Sequence, residues 1–333
     1  MSFNHKVSFG SVIVLLILSL TINAQNKTID SLKSIIETGA KDTVMVSTLN
    51  ALSLEVLKEN IVGSKAYSEK AYELATQLDF KKGKAYSLKN IGLAAYYQGD
   101  YLEVLDYWTQ SLETFEEIKD TLGIANLVNN LGAVYYSQGS NAKALDYYLR
   151  SLNISEKLKD PLRISSVLLN IGGLYAEMLN FDKALEYYKE IDKYRTTLND
   201  PQITFGYLMG IGEVYFEKGS YSDALKFYKE ALAGNQNINL RAGNLIKLGE
   251  VALKIGDKEK AADYLNEAYL TAKSLNRQLL VVQSLIAKSK VYKQDNLVKA
   301  LNALKEAESL AKEIRANDEL RDIYEGLSKT YAS

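Results

Sequence analysis

Cysteine is absent from this chain of 333 residues, histidine occurs once, at His5, and proline twice, at Pro161 and Pro201. Without cysteine there is no disulfide framework and no thioester or thioether lipid anchor. The one histidine lies in an N-terminal segment with the pattern of a removable leader. A mature chain without either side chain cannot build Ser-His-Asp or Cys-His nucleophilic sites, His- or Cys-ligated metals, or haem attachments. Carboxylates acting alone remain, but Asp and Glu fall mainly on the polar faces of the expected helices, where their pKa stays low. No Gly-rich phosphate loop follows a strand, because no segment reads as a strand. The expectation is a chain that is not an enzyme and has no cofactor and no metal. An excess of one charge is missing too: 40 Lys+Arg face 41 Asp+Glu, for a net charge of -1. That leaves no electrostatic footprint for nucleic acid or for an anionic membrane surface. The scarcity of proline favours long, uninterrupted helices.

The first ten residues carry Lys6 and no acid, Val12 to Leu20 is almost wholly apolar, and Thr21-Ile-Asn-Ala24 ends in a small residue. This is the pattern of a secretory signal over residues 1–24, cut after Ala24. Its apolar core, about ten residues, is short of the roughly 20 that span a bilayer. No later segment is long and apolar enough to do so. The mature chain, from about Gln25, is expected to be soluble and exported, either periplasmic or secreted.

What is present is a repeat. Asn130-Leu-Gly-Ala-Val-Tyr-Tyr-Ser-Gln-Gly139 falls into register 40 residues back with Asn90-Ile-Gly-Leu-Ala-Ala-Tyr-Tyr-Gln-Gly99 and 40 residues on with Asn170-Ile-Gly-Gly-Leu-Tyr-Ala-Glu-Met-Leu179. A further step reaches Gly210-Ile-Gly-Glu-Val-Tyr-Phe-Glu-Lys-Gly219. A fixed period of this size marks a helical repeat array. Each repeat reads as two helices. The first ends in a Gly-containing turn at Gly99, Gly139, Gly219 or Gly256, and the neighbouring Asp or Ser can cap the second. The second pairs a small residue with an aromatic four positions on, as in Ala144 and Tyr148, Ala184 and Tyr188, Ala224 and Tyr228. The mid-helix glycines Gly92, Gly132, Gly172 and Gly212 read as close-packing positions, and most of the 24 tyrosines as core. Pro161 and Pro201 fit the first turn of a helix behind Asp160 and Asp200.

Leu-Gly-x-x-Tyr in the first helix with Ala-x-x-x-Tyr in the second resembles the tetratricopeptide (TPR) pattern, whose usual repeat is about 34 residues. The longer period is similar to the TPR-like arrays of kinesin light chain and of bacterial peptide-sensing regulators. The resemblance is specific in the four central repeats and weaker at the ends, where Leu52 and Ser289 replace the glycine. It implies an all-α, right-handed superhelical solenoid of antiparallel helix pairs, about six to seven repeats. A capping helix is placed in 25–41 and the array in 42–333, with repeats near 42–82, 83–122, 123–162, 163–202, 203–238, 239–278 and 279–317 and a final half repeat over 318–333.

One constellation exceeds packing. Asn50, Asn90, Asn130 and Asn170 recur every 40 residues, each two before the glycine or its equivalent. Asparagine is a poor helix-interior residue, so four in register ask for a reason. In TPR-like proteins this flank lines the concave groove. In the longer-repeat relatives an asparagine here is part of a ladder that hydrogen-bonds a peptide backbone, and an amide both donates and accepts. The other reading has each asparagine bonding the next repeat and registering the stack; the two are compatible. Lys89, Tyr96, Tyr97, Asn129 and Tyr136 are expected to share the groove, and Met209, Glu213, Glu217 and Glu250 to make its second half acidic. The basic carboxylate clamp of chaperone-binding TPRs is not expected, since only Lys89 and Lys254 are placed for it. The expected partner is a protein or an extended peptide, with no nucleic acid. An exported interaction scaffold is the first expectation. The alternative is the extracytoplasmic sensor region of a membrane signalling protein whose histidine kinase, nucleotide cyclase or DNA-binding output lies outside this chain.

Overall fold

The computed structural model describes residues 27–234, 237–293 and 295–332, and among them every regular element is a helix. The leader expected over residues 1–24 lies outside the described residues. A first helix, α1 (residues 27–37), precedes a series of pairs. These are α2 (Thr43–Val56) with α3 (Ile61–Gln77), α4 (Lys81–Gln98) with α5 (Tyr101–Glu117), and α6 (Thr121–Ser137) with α7 (Asn141–Lys157). They continue with α8 (Pro161–Glu177) and α9 (Phe181–Leu198), then α10 (Pro201–Glu217) and α11 (Tyr221–Gly234). Next come α12 (Ile238–Ile255) and α13 (Lys258–Ser274), α14 (Gln278–Tyr292) and α15 (Leu297–Glu313), and α16 (Asn317–Tyr331). The chain divides into two compact units, one ending at Ile154 and the other beginning at Ser155. In each unit, first helices of consecutive pairs lie side by side, as α2 with α4 and α12 with α14.

The turns follow from local chemistry. Asp42, Asp100, Asp120, Asp160 and Asp200 each accept a hydrogen bond from a backbone N–H in the first turn of the helix they cap. Each satisfies one of the donors that a helix start leaves unpaired. Pro161 and Pro201 stand at the helix start behind two of these caps, where no N–H is needed. Within a pair, Gly99, Gly139, Gly219 and Gly256 take left-handed backbone at the joint. Leu179 holds the same conformation, φ 58°, at the joint between α8 and α9. Between pairs the left-handed residue is never glycine: Asp79, Lys119, Lys159, Asn199, Asn276 and Arg315 all have positive φ. The residue type at these joints gives no hint of that conformation.

The pairs close by a ring laid on a glycine. A Cβ at Gly92 would fall 2.3 Å from Trp108 Cδ1, one at Gly132 2.6 Å from Tyr148 Cδ1, and one at Gly172 2.5 Å from Tyr188 Cε1. Tyr228 covers Gly212 and Leu265 covers Gly249 in the same way. The second helix therefore approaches to the distance at which its ring touches the first helix's backbone, gaining dispersion contact along the whole ring face. The first pair reverses the sizes. Leu52 occupies the glycine register and Ser68 the ring register, and both are fully buried. The departure at Leu52 is thus matched forty registers of packing away from any strain, by a small residue on the opposing helix. A second set of layers repeats beside the first: Tyr135 on Tyr147, Tyr175 on Tyr187 and Tyr215 on Phe227 stack at centroid distances of 5.3, 5.4 and 5.5 Å.

Two outcomes follow. Gly132→Leu is expected to destabilise by about 3 kcal/mol, and adding Tyr148→Ser, which copies the first pair, to recover part of that loss. Equal melting midpoints for the single and double variants would refute the size exchange. Leu179→Gly is expected to stabilise by about 0.5–1 kcal/mol by removing left-handed strain from a leucine, read as a higher thermal midpoint. An unchanged or lower midpoint would show that the strain is compensated.

Candidate functional site

The asparagine ladder divides into two kinds of position. Asn50 on α2 and Asn90 on α4 are 8 % and 2 % exposed. Asn90 Nδ2 donates to the Asn50 carbonyl at 3.1 Å, to Asn50 Oδ1 at 3.3 Å and to Ser53 Oγ at 3.0 Å. Asn50 Nδ2 donates to Ser87 Oγ at 3.0 Å and to the Gly83 carbonyl at 3.4 Å. Two amides and two hydroxyls therefore bond one repeat to the next, so at Asn50 and Asn90 the donors register the stack. Asn90 Oδ1 is left buried with no donor among the described residues.

Forty residues on, Ser53 and Ser87 are replaced by Leu93 and Leu127. The hydroxyls that complete the first cluster are missing, and Asn130 is half-buried with no hydrogen bond to any described residue. Asn170 is half-buried on α8, in the second unit. There the ladder register is continued by Gly210, whose backbone is covered by the Tyr188 ring, and by Lys247.

Lys247 changes the expected charge of the second unit. Its ammonium lies 2.9 Å from Glu213 Oε1 and 3.9 Å from Glu250 Oε2, while Lys290 reaches Glu250 Oε1 at 3.8 Å. Tyr228 donates its hydroxyl to Glu213 Oε2 at 2.7 Å. Burial pulls the Lys247 pKa down, and the carboxylates of Glu213 and Glu250 more than offset it, so the net direction is up. The acidic face expected from Glu213 and Glu250 is therefore largely neutralised by lysines that the sequence gave no reason to place against them.

In the first unit a hollow of about 280 Å³ opens between α2 and α4, lined by Asn50, Leu54, Phe80, Lys82, Tyr86 and Asn90 together with small residues. Tyr86 was not among the expected site residues, although it lies four before Asn90, on the flank that those residues share. Lys89 is half-buried with its Nζ 5.1 Å from the centre of the Tyr86 ring, and its carbonyl accepts the Trp108 indole N–H at 2.9 Å. Burial lowers the Lys89 pKa. Tyr96 stands apart from the expectation: half-buried, it stacks on Trp108 at 6.2 Å and 16° and so belongs to the packing between α4 and α5. Tyr97 is 48 % exposed, and Asn129 and Tyr136 are half-buried on α6.

Two family models, each described as tetratricopeptide repeat, match residues 123–191 and 169–237. The chain thus carries tetratricopeptide repeats. No curated protein sequence matches it. Among solved structures it is similar to the apo form of the quorum sensor NprR from B. thuringiensis, with TM-score 0.69 and 17 % identity over 95 % of this chain and 94 % of that one. A Rap conjugation gene regulator of the plasmid pLS20, solved in complex with a Phr peptide, matches at TM-score 0.60 and 14 % identity, over 85 % and 95 % of the two chains. A tetratricopeptide repeat protein from Parabacteroides merdae matches at TM-score 0.58 and 16 % identity, over 84 % and 98 %. At these identities the likeness establishes the fold, an all-α TPR-like solenoid of antiparallel helix pairs. No helix among the described residues is long and apolar enough to cross a membrane.

The two kinds of ladder position predict different costs. Asn90→Ala removes the donor shared by three acceptors and leaves buried oxygens unpaired, which is expected to cost about 2–3 kcal/mol. Asn130→Ala is expected to stay within about 0.5 kcal/mol of the parent chain. Equal losses in urea unfolding would contradict the division.

Proposed function

We propose that this chain is an exported, non-enzymatic scaffold that binds an extended peptide, or an extended segment of a partner protein, along the first helices of its repeats. The observation that carries the reading is the open hydrogen-bonding capacity around the first unit's ladder. The Asn130 amide and Asn90 Oδ1 have no partner among the described residues, beside a hollow and a half-buried lysine. An amide that can donate and accept matches the N–H and C=O of a peptide backbone without selecting its side chains. Lys89, Asn129 and Tyr136 flank those groups in the first unit, Tyr97 adds an exposed ring, and Asn170 takes the corresponding role in the second. Asn50, whose amide is committed to the stack, acts through Asn90. Absence of cysteine, and of histidine beyond His5, supports a binding role over catalysis.

The likeness to a quorum sensor and to a peptide-bound regulator favours a second reading within the same chemistry. In it the chain is the extracytoplasmic sensing part of a signalling protein. Export rests on the leader pattern of residues 1–24.

Random dodecapeptides displayed on phage and panned against the chain are expected to yield binders. Asn130→Ala combined with Asn170→Ala is expected to abolish their retention while circular dichroism stays helical. Undiminished retention by that variant would remove the asparagines from the site. Sequencing the protein from its own cells is expected to give an N-terminus near Gln25. A soluble species of that length favours the scaffold, and a larger membrane-bound species the sensor.

A further inference from the structure

Lys89 differs from the other half-buried lysines that lie along these helices. Lys65 pairs with Glu103 at 2.6 Å, and Lys247 with Glu213 at 2.9 Å. No carboxylate among the described residues lies within ion-pair distance of the Lys89 ammonium, which faces the Tyr86 ring at 5.1 Å. Burial lowers its pKa, and no neighbouring charge raises it again. A desolvated ammonium without a counter-ion is costly to hold, and a ring face returns only part of the lost hydration.

The surroundings share this sign. The residues lining the hollow beside it include Lys82 and no aspartate or glutamate, and the Lys82 ammonium also lies over Tyr86, at 5.9 Å. Lys82 is already paired, with Asp120 at 3.1 Å, so Lys89 is the cation left over. At the same hollow Asn90, 2 % exposed, presents an Oδ1 that lacks a donor. One side of the cavity thus lacks an anion and the other lacks an N–H. An extended peptide with an acidic side chain supplies both, a carboxylate for the ammonium and a backbone N–H for the amide oxygen.

We propose that Lys89 selects the ligand's chemistry: the first unit takes an extended segment carrying an acidic residue, whose carboxylate seats against Lys89 beside Tyr86 while a backbone N–H of the segment bonds Asn90 Oδ1. This rests on the groove reading above and adds the charge that the bound segment must carry. The hydrogen bonds to Asn90 and Asn130 hold any backbone; the pairing at Lys89 distinguishes one sequence from another.

The test pans phage-displayed random dodecapeptides against the whole chain and against Lys89→Gln and Lys89→Glu variants. Peptides selected by the parent chain are expected to carry Asp or Glu at one fixed position. Lys89→Gln is expected to retain peptide binding, lose that enrichment, and bind a parent-selected synthetic peptide about tenfold more weakly. Lys89→Glu is expected to move the enrichment at that position to Lys or Arg. Melting midpoints check that both variants fold. Peptides enriched without an acidic position, or an acidic preference that survives both substitutions, would overturn the proposal and leave the groove reading standing. Failure of the parent chain to enrich any peptide would overturn both.

Discussion

Everything in this molecule depends on how closely two helices of one repeat can approach. A glycine on the first helix and a ring on the second set that distance in the repeats built on Gly92, Gly132, Gly172 and Gly212. The ring lies against bare backbone, so the pair is locked by contact over a whole ring face, and a side chain of any size at the glycine would push it away. Because the same contact recurs, consecutive pairs present the same flank in the same register. The ladder at Asn50, Asn90, Asn130 and Asn170 follows from that regularity: a position two residues before each packing glycine lies on the same flank every time.

Regular placement does not mean uniform use. The register that holds asparagine four times meets a different neighbour at each step. Serines at 53 and 87 draw Asn50 and Asn90 into a buried cluster, leucines at 93 and 127 leave Asn130 with its amide unpaired, and in the second unit Lys247 takes up the register with an ion pair. The residue at the ladder position supplies the hydrogen-bonding group; the residues three before and three after it determine whether that group faces the stack or is left over for something else.

The repeat, its two-helix character and its close-packing glycines were legible because they are periodic, and a period survives changes in individual residues. The caps at Asp160 and Asp200 were legible through the prolines behind them. What escaped were facts about pairs of positions far apart in the chain. Tyr96 has the spacing of a groove residue, yet its ring stacks on Trp108 because the α4–α5 contact captures it. Glu213 and Glu250 read as an acidic face because Lys247 and Lys290 lie in other turns and other repeats. The left-handed residues at Asp79, Lys119, Lys159, Asn199, Asn276 and Arg315 were invisible because tertiary packing, not residue preference, imposes the conformation.

The change of bonding along the ladder register also gives the two units different responses to their medium. At Asn50 and Asn90 consecutive helices are joined by neutral amides and hydroxyls, buried beyond the reach of dissolved ions. At Lys247 they are joined through Glu213 and Glu250 by charges that are partly open to solvent, each about a quarter to a third exposed. Mobile ions screen the second kind of join over about 8–10 Å at physiological salt and leave the first almost untouched. An exported protein meets ionic strengths that a cell does not buffer, and in this one the helices around Asn90 would keep their register in brine while those around Lys247 loosened.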